Sequence, residues 1–451
     1  MMVMLMTLLK IEDNSKKKKE EFTVISTLTK RIADKTLEQL EKEDIFIFPE
    51  LLKDSEDLSK EQLILNSKNN DYYSGNVTGF LGLNQERLII QSRFTKGDKD
   101  DYFFQYLLAE VFETPAVLEL DSDANQDDKI YNMLLFLFPF YLKLAMRKGP
   151  YKTYIKREQN DGNIKGTIDI ARHIKMNTPF VGRIAYNQRE FSYDNYLTEL
   201  IRHTIEYIKQ KKISKNLFEK VKSEVIGVIE ITQDYAFHDR YKIINENKKN
   251  PIRHAYYHEY RLLQRLCLMI LNEDKHQIGN GNQQIQGILF DCAWLWEEYI
   301  YTLTSHLFYH PRNKTREGGQ WLFTKAAGKV GRIYPDFLGR ETSIIGDAKY
   351  KPAENIKNAD YLQVLAYMFR FEAKIGFYFY PEESESENQK FFLNTGSTYT
   401  NKVEANKEYS VIKLGLKIPQ NAKSYEEFAL LMKKSEEDFI SNITKSIPKN
   451  D

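Results

Sequence analysis

"YPDFLGRETSIIGDAKYK", residues Tyr334 to Lys351, is the stretch on which the reading of this chain turns. In an extended "IIGDAKY" successive side chains point to opposite faces. Ile345, Asp347 and Lys349 therefore share one face, and Ile344, Gly346 and Ala348 take the other. A preceding hairpin strand ending at Asp336 brings a second carboxylate beside Asp347, with Arg340 and Glu341 in the exposed turn. Two close carboxylates repel, and a divalent cation is the usual relief. Oxygen ligands suit Mg²⁺, with Mn²⁺ as a substitute. Lys349 then stands where it can position or deprotonate an attacking water and stabilise charge on a phosphate. Lys351 alternates onto the same face and is its understudy.

Taken alone, an Asp two residues before a Lys is more often a surface pair. The flanking order changes that. Upstream, "WLWEEYI" (Trp294 to Ile300) sets Glu297 and Glu298 on a strongly apolar helix, where a carboxylate needs a reason to face inward. Downstream, Gln363 and Tyr367 lie four apart on one helix face, able to hold the water or a DNA backbone. A Glu helix, Pro-Asp, an apolar strand ending in Asp-x-Lys and a Gln-x-x-x-Tyr helix form a much rarer combination than any one of them.

The rest of the 451-residue chain divides into three expected parts. Residues 1–150 read as a β-rich N-terminal domain, with short strands and Gly turns in "YYSGNVTGFLGLNQERLIIQSRF" (Tyr72 to Phe94). Residues 151–280 read as a mainly helical linking region, with Leu197, Leu200, Ile201, Thr204, Ile205 and Ile208 on one helix face. Residues 281–451 read as an α/β domain with a mixed sheet, entered through the Gly/Asn/Gln linker "IGNGNQQ". The expected class is thus multidomain α+β.

Composition removes several alternatives. The 65 Lys+Arg nearly cancel the 64 Asp+Glu, so a nucleic-acid surface must be a local patch. Two such patches offer themselves: "IKQKKISKNLFEKVK", better read as a solvated helix face, and the loop-like "DRYKIINENKKNPIRHAYYHEYR". Cys267 and Cys292 stand alone in apolar contexts, which excludes a disulfide scaffold and suggests a reducing, cytoplasmic setting. "MLLFLFPFYLKLAM" (Met133 to Met146) is too short and too interrupted for a membrane span and reads as a buried helix. The opening "MMVMLMTLLK" has no preceding basic region and no cleavage site after it, unlike a signal peptide. "DSDANQDDK" has Gln126 where a calcium loop needs Gly, and reads as a solvated linker. His254 and His258 lack a third zinc ligand, and packing or DNA contact is the better account.

With these motifs in place, the stretch from Trp294 to Pro381 resembles the PD-(D/E)xK nuclease superfamily. Pro335-Asp336 stands for its "PD", Asp347-Ala348-Lys349 for its "DxK", and Gln363 and Tyr367 for the QxxxY element of RecB-like members. More specifically, the chain from about Tyr72 to Ile440 resembles the McrC family, the nuclease subunits of McrBC-type or LlaJI-like restriction systems. "GTIDIARHI", "FSYDNYLTELIRHTI" (with Asp194 and Asn195) and "AWLWEEYIYTL" carry that likeness. The resemblance implies a restriction-endonuclease-like C-terminal domain and a phage-defence endodeoxyribonuclease. Asp336, Asp347 and Glu297 would be its metal ligands, and Lys349, Gln363 and Tyr367 would complete the catalytic set. Either Glu297 or Glu298 can be the helix acid, and the family's Glu-x-aromatic pattern favours Glu297. The family also implies double-stranded DNA as substrate and a McrB-like AAA+ GTPase hexamer as partner. The N-terminal part would insert into that ring and stimulate hydrolysis, the chain alone being a monomer without a membrane role. The chain has no GxxxxGK[ST] loop of its own. Two alternatives remain at this point: a non-catalytic activator of the AAA+ partner, and a stand-alone RecB-like exonuclease.

Overall fold

The computed structural model describes residues 7–42, 45–49, 62–95, 101–112, 126–211, 217–273, 285–311, 319–340, 343–383, 388–396 and 403–447, without the side chains of 126–133, 272–273 and 286. The chain divides into two compact units. Met1–Glu113 and Gly281–Asp451 form one, and Thr114–Asn280 forms the other. This differs from the three-part division expected above, and one strand explains why. Gln286–Asp291 lies between Val77–Leu83 and Phe46–Phe48 in a five-stranded sheet completed by Glu86–Gln91 and Thr7–Glu12. The N-terminal β-region therefore shares its sheet with the chain that returns after residue 280.

Val77–Leu83 is buried along its whole length, as a strand covered on both faces must be. Gly79 shows how closely the returning strand approaches: its φ is +139°, and a Cβ there would stand 2.1 Å from the Ile288 carbonyl oxygen. Below this sheet Leu28, Ile32, Leu37, Leu81, Leu88 and Leu289 share one apolar core.

The second sheet of this unit has six strands, in the order Phe308–Tyr309, Phe337–Gly339, Ile344–Ala348, Ile375–Glu382, Glu404–Lys417 and Gln389–Thr395. It is mixed. The three central strands run parallel, with antiparallel pairing on either side. Parallel neighbours need a crossover, and helix Asn358–Arg370 supplies it between Ile344–Ala348 and Ile375–Glu382. Helices Cys292–Thr304, Tyr425–Ser446 and Tyr102–Val111 pack together beside this sheet. They are joined where the Tyr106 and Tyr299 hydroxyls both donate to buried Glu436, at 2.6 and 2.7 Å.

The other unit opens with helix Gln126–Met146, which contains Pro139 and packs on helix His258–Glu273. The buried-helix reading of Met133–Met146 agrees with this. The acidic stretch Asp121–Lys129 lies outside the described residues as far as 125, and the helix backbone begins at Gln126. The linker Ile278–Gln284 lies outside them as well. Helix Tyr196–Lys209 buries all six of the residues predicted for its inner face. Asn195 caps it, with Oδ1 accepting from the backbone N–H of Leu197 and Thr198. Two nine-residue antiparallel strands, Thr153–Asp161 and Ile184–Ser192, were not anticipated in a region read as mainly helical. The "loop" around Arg240 is in part a helix, Arg240–Lys249. His254 accepts from the Tyr256 backbone N–H and caps the short turn that follows. No described helix is long and apolar enough to cross a membrane.

Candidate active site

The hairpin strand expected to end at Asp336 stops short of it. Gly328–Ile333 pairs with Gln320–Lys325 in a separate ribbon, and Phe337–Gly339 then joins the main sheet. Pro335 has no N–H to give a ladder, so the break falls there. Asp336 consequently precedes the inner strand rather than ending an outer one. The two carboxylates still meet, because Phe337 pairs with Gly346 and this sets Asp336 against the far end of Ile344–Ala348. Asp336 Oδ2 accepts from the Ala348 backbone N–H at 2.8 Å.

Asp347 is 1 % exposed, on the face that the alternation assigns it. Its Oδ2 stands 2.7 Å from Lys349 Nζ, an ion pair rather than an aligned hydrogen bond. Lys349 Nζ also donates to Gln363 Oε1 at 3.0 Å. Gln363 Nε2 donates in turn to the Tyr367 hydroxyl at 2.7 Å, and that hydroxyl donates to the Tyr334 carbonyl at 3.1 Å. Predicted to share a helix face, Gln363 and Tyr367 thus form a relay of hydrogen bonds. It runs from the lysine back to the residue before Pro335.

All six predicted residues, Glu297, Asp336, Asp347, Lys349, Gln363 and Tyr367, line one cavity of about 520 Å³. The two helix acids differ in their contacts. Glu297 lines the cavity, and its charge acts on Asp336. The Glu298 carboxylate accepts from Trp294 Nε1 at 3.0 Å. Asp291 starts their helix by accepting from the N–H groups of Ala293 and Trp294.

Charge sorts the cavity into two walls. Burial pushes the Asp336 carboxyl well above its ordinary range, and the neighbouring Glu297 and Asp347 carboxylates push it further. Burial raises Asp347 too, with Lys349 pulling against it. For Lys349, burial favours loss of the proton, but Asp347 and Asp336 outweigh it, so the amine is held as an ammonium. Lys351 is engaged elsewhere: its Nζ reaches both Asp360 oxygens at 2.9 and 2.8 Å. Asp360 is held below its ordinary value, since burial raises it while Lys351, the Lys357 N–H and Lys349 lower it by more.

Among the described residues, no three His, Cys, Asp or Glu side chains are grouped closely enough to hold a metal ion as they stand. The donor chemistry nonetheless fits a hard divalent cation. Three carboxylates from three separate elements line one cavity, and two of them are penalised for carrying charge.

The family scan bears on the same residues. The model of the McrBC 5-methylcytosine restriction system component family matches residues 73–381. The chain belongs to that family. Two solved structures are similar to this McrBC-family chain, both from Thermococcus gammatolerans. One is a half-complex from a tetradecameric assembly of McrB AAA+ hexamers with bound McrC, at 14 % identity over 98 % of this chain and 100 % of that one, TM-score 0.49. The other is the McrBC complex, at 14 % identity over 66 % and 87 %, TM-score 0.32. At these values neither adds to what the family match establishes. No curated protein matches the chain.

Two groups beside the candidate site were not anticipated from the sequence. His310 Nδ1 bonds the Asp336 carbonyl at 2.8 Å, and its Nε2 stands 3.6 Å from both Glu297 and Glu298. Only the pairing of the two-residue strand Phe308–Tyr309 with Phe337–Gly339 brings it there, and no local pattern announces that. Asp360 is the other. It lay inside the predicted helix, three residues before Gln363, and a helix-face reading extended by one turn would have found it.

Proposed function

We propose that this chain is the DNA-cutting subunit of a McrBC-type restriction complex, hydrolysing phosphodiesters with the help of Mg²⁺, or Mn²⁺ in its place. The observation that carries the reading is the relay Asp347–Lys349–Gln363–Tyr367, facing Glu297 and Asp336 across one cavity. A purely structural ion pair has no use for a further buried carboxyl, Asp336, held against its own charge by Glu297 and Asp347. Glu297, Asp336 and Asp347 would hold the cation, which supplies charge neutralisation and Lewis-acid polarisation of a phosphate oxygen.

The remaining work falls to the chain itself. Lys349 is an ammonium, so it acts by donating to a phosphate oxygen that gains charge as water attacks. Gln363 and Tyr367 fix its direction, and the Lys351–Asp360 pair braces the next turn. Pinned to the Ala348 N–H, Asp336 keeps its carboxylate toward the cavity.

The partner in this proposal is a McrB-like AAA+ GTPase hexamer, with methylated double-stranded DNA as substrate. The family's own description and the absence of a phosphate-binding GxxxxGK[ST] loop in this chain support that assignment. The test is cleavage of methylated plasmid DNA by the full chain with its partner, GTP and Mg²⁺. Cleavage should need all three, vanish on chelation and vanish in Asp347→Ala with stimulated GTP hydrolysis retained. Glu297→Gln should abolish it and Glu298→Gln should spare it. Undiminished cutting by Asp347→Ala would refute the site, and cutting by the chain alone would favour an independent nuclease.

A further inference from the structure

The segment that leaves the first sheet after Glu86–Gln91 comes to the candidate site from the opposite end of the sequence. Arg93 Nη2 donates to the Tyr350 carbonyl at 2.5 Å and to Asn76 Oδ1 at 3.2 Å. Its Nε is 3.5 Å from Asp13 Oδ2, and Asp13 Oδ1 accepts from the Arg93 backbone N–H at 2.7 Å. The guanidinium lies 5.0 Å above the Tyr350 ring. Ser92 Oγ and the Tyr350 hydroxyl are 2.7 Å apart, and Phe94 meets the same ring edge-on at 4.9 Å. Tyr350 is thus held at its carbonyl, ring face and hydroxyl by three consecutive residues of the N-terminal region.

Tyr350 is a consequential residue to hold. Strand Ile344–Ala348 ends immediately before Lys349, and the last bond from that strand's end to the sheet is Lys349 N–H to the Phe379 carbonyl at 2.8 Å. Beyond it the backbone makes a tight turn, with the Lys351 N–H returning to the Lys349 carbonyl at 2.8 Å. The direction in which Lys349 and Lys351 project is set by whatever fixes the residue between them. Arg93 does so with a planar fork that reaches two acceptors at once, something a lysine ammonium cannot reproduce.

We infer that Arg93, backed by buried Asp13, is a positioning residue for Lys349 and Lys351, so that the N-terminal sheet completes the site rather than only adjoining it. The inference rests on the proposed nuclease reading for its effect on cleavage, but its structural half can be measured without cleavage. Removing Arg93 alone would strand a buried carboxylate, so the informative variant is Arg93→Met with Asp13→Asn, which discards both charges together.

In the full chain this double variant should melt like wild type and bind DNA with a half-saturating concentration within about twofold. Single-turnover cleavage in the assembled complex should slow about 30- to 100-fold, the order expected when a reacting group moves by up to an ångström. Hydrogen exchange at Lys349, Tyr350 and Lys351 should quicken while that of Gln286–Asp291 stays unchanged. Arg93→Lys, which keeps its charge against Asp13, should fold normally and slow cleavage by about tenfold. This second variant decides the matter if the double one fails to fold. A wild-type cleavage rate, or unchanged exchange at Lys349, Tyr350 and Lys351, in a folded variant overturns the inference. If wild type itself never cuts, the nuclease reading fails and the exchange result still judges Arg93.

Discussion

The two walls of the cavity face each other across a short distance and are built on opposite principles. On the lysine wall every charge has a partner of the other sign or a good donor. Lys349 has Asp347 and Gln363, Lys351 has Asp360, and Tyr367 has Gln363 and a carbonyl. On the acid wall, Glu297 and Asp336 repel each other, and Asp347 is shared between the two sides. A protein that needed only stability would have spread that repulsion over the surface. Concentrating it beside a pre-aimed ammonium makes sense if the missing positive charge arrives with function.

That contrast can be broken at graded points. Lys349→Met removes the cation that pairs with Asp347. Single-turnover cleavage should fall about 10²- to 10³-fold, as for the loss of a group that stabilises developing charge, with DNA affinity changed little. An unaltered rate would remove Lys349 from the chemistry and reopen the place for Lys351. Tyr367→Phe takes away only the far end of the relay. Lys349 keeps Asp347 and Gln363, so a loss of about tenfold or less is expected, reported as a change in kcat with KM preserved. Asp13→Asn touches neither wall. Burial, only partly offset by Arg93, raises the Asp13 carboxyl from 3.8 to about 7. The folded state therefore holds a proton that the unfolded chain has released, and stability declines as pH rises across that interval. In denaturant titrations, wild type should lose stability between pH 4 and 7 and Asp13→Asn should lose less. Parallel curves would mean that the carboxylate is better solvated than its burial suggests.

Much of the candidate site was legible because local periodicity creates it. Asp347 and Lys349 share a face by the two-residue repeat of a strand, and Gln363 and Tyr367 by one helical turn. The same helical rule set Gln363 and Tyr367 on the helix that proves to be the crossover. Groups delivered by distant pairing were not legible. Arg93 contacts a residue 257 positions away, and His310 arrives through two residues of edge strand. The shared N-terminal sheet was hidden for the same reason: "QGILFD" runs straight into the Cys292 helix and gives no sign that it crosses Val77–Leu83. The paired strands Thr153–Asp161 and Ile184–Ser192 are a different kind of miss. "TYIKREQND" alternates in burial along its first half, but its residues run Tyr-Ile and then Lys-Arg-Glu, so the sequence carries no two-residue hydrophobic repeat.

The central claim, that the acid wall is built for a cation it needs, is tested most directly by thermal melting of the full chain with and without Mg²⁺, in wild type and in Asp336→Asn. Asparagine keeps the bond from the Ala348 N–H but cannot ionise. Because the folded-state value of Asp336 is raised, its charge costs stability at pH values above its ordinary range near 4. The account predicts that Asp336→Asn melts higher than wild type in metal-free buffer at neutral pH, and that added Mg²⁺ raises the wild-type midpoint but leaves the variant's unmoved. A wild-type midpoint indifferent to Mg²⁺, together with a lower melting point for Asp336→Asn, would contradict it.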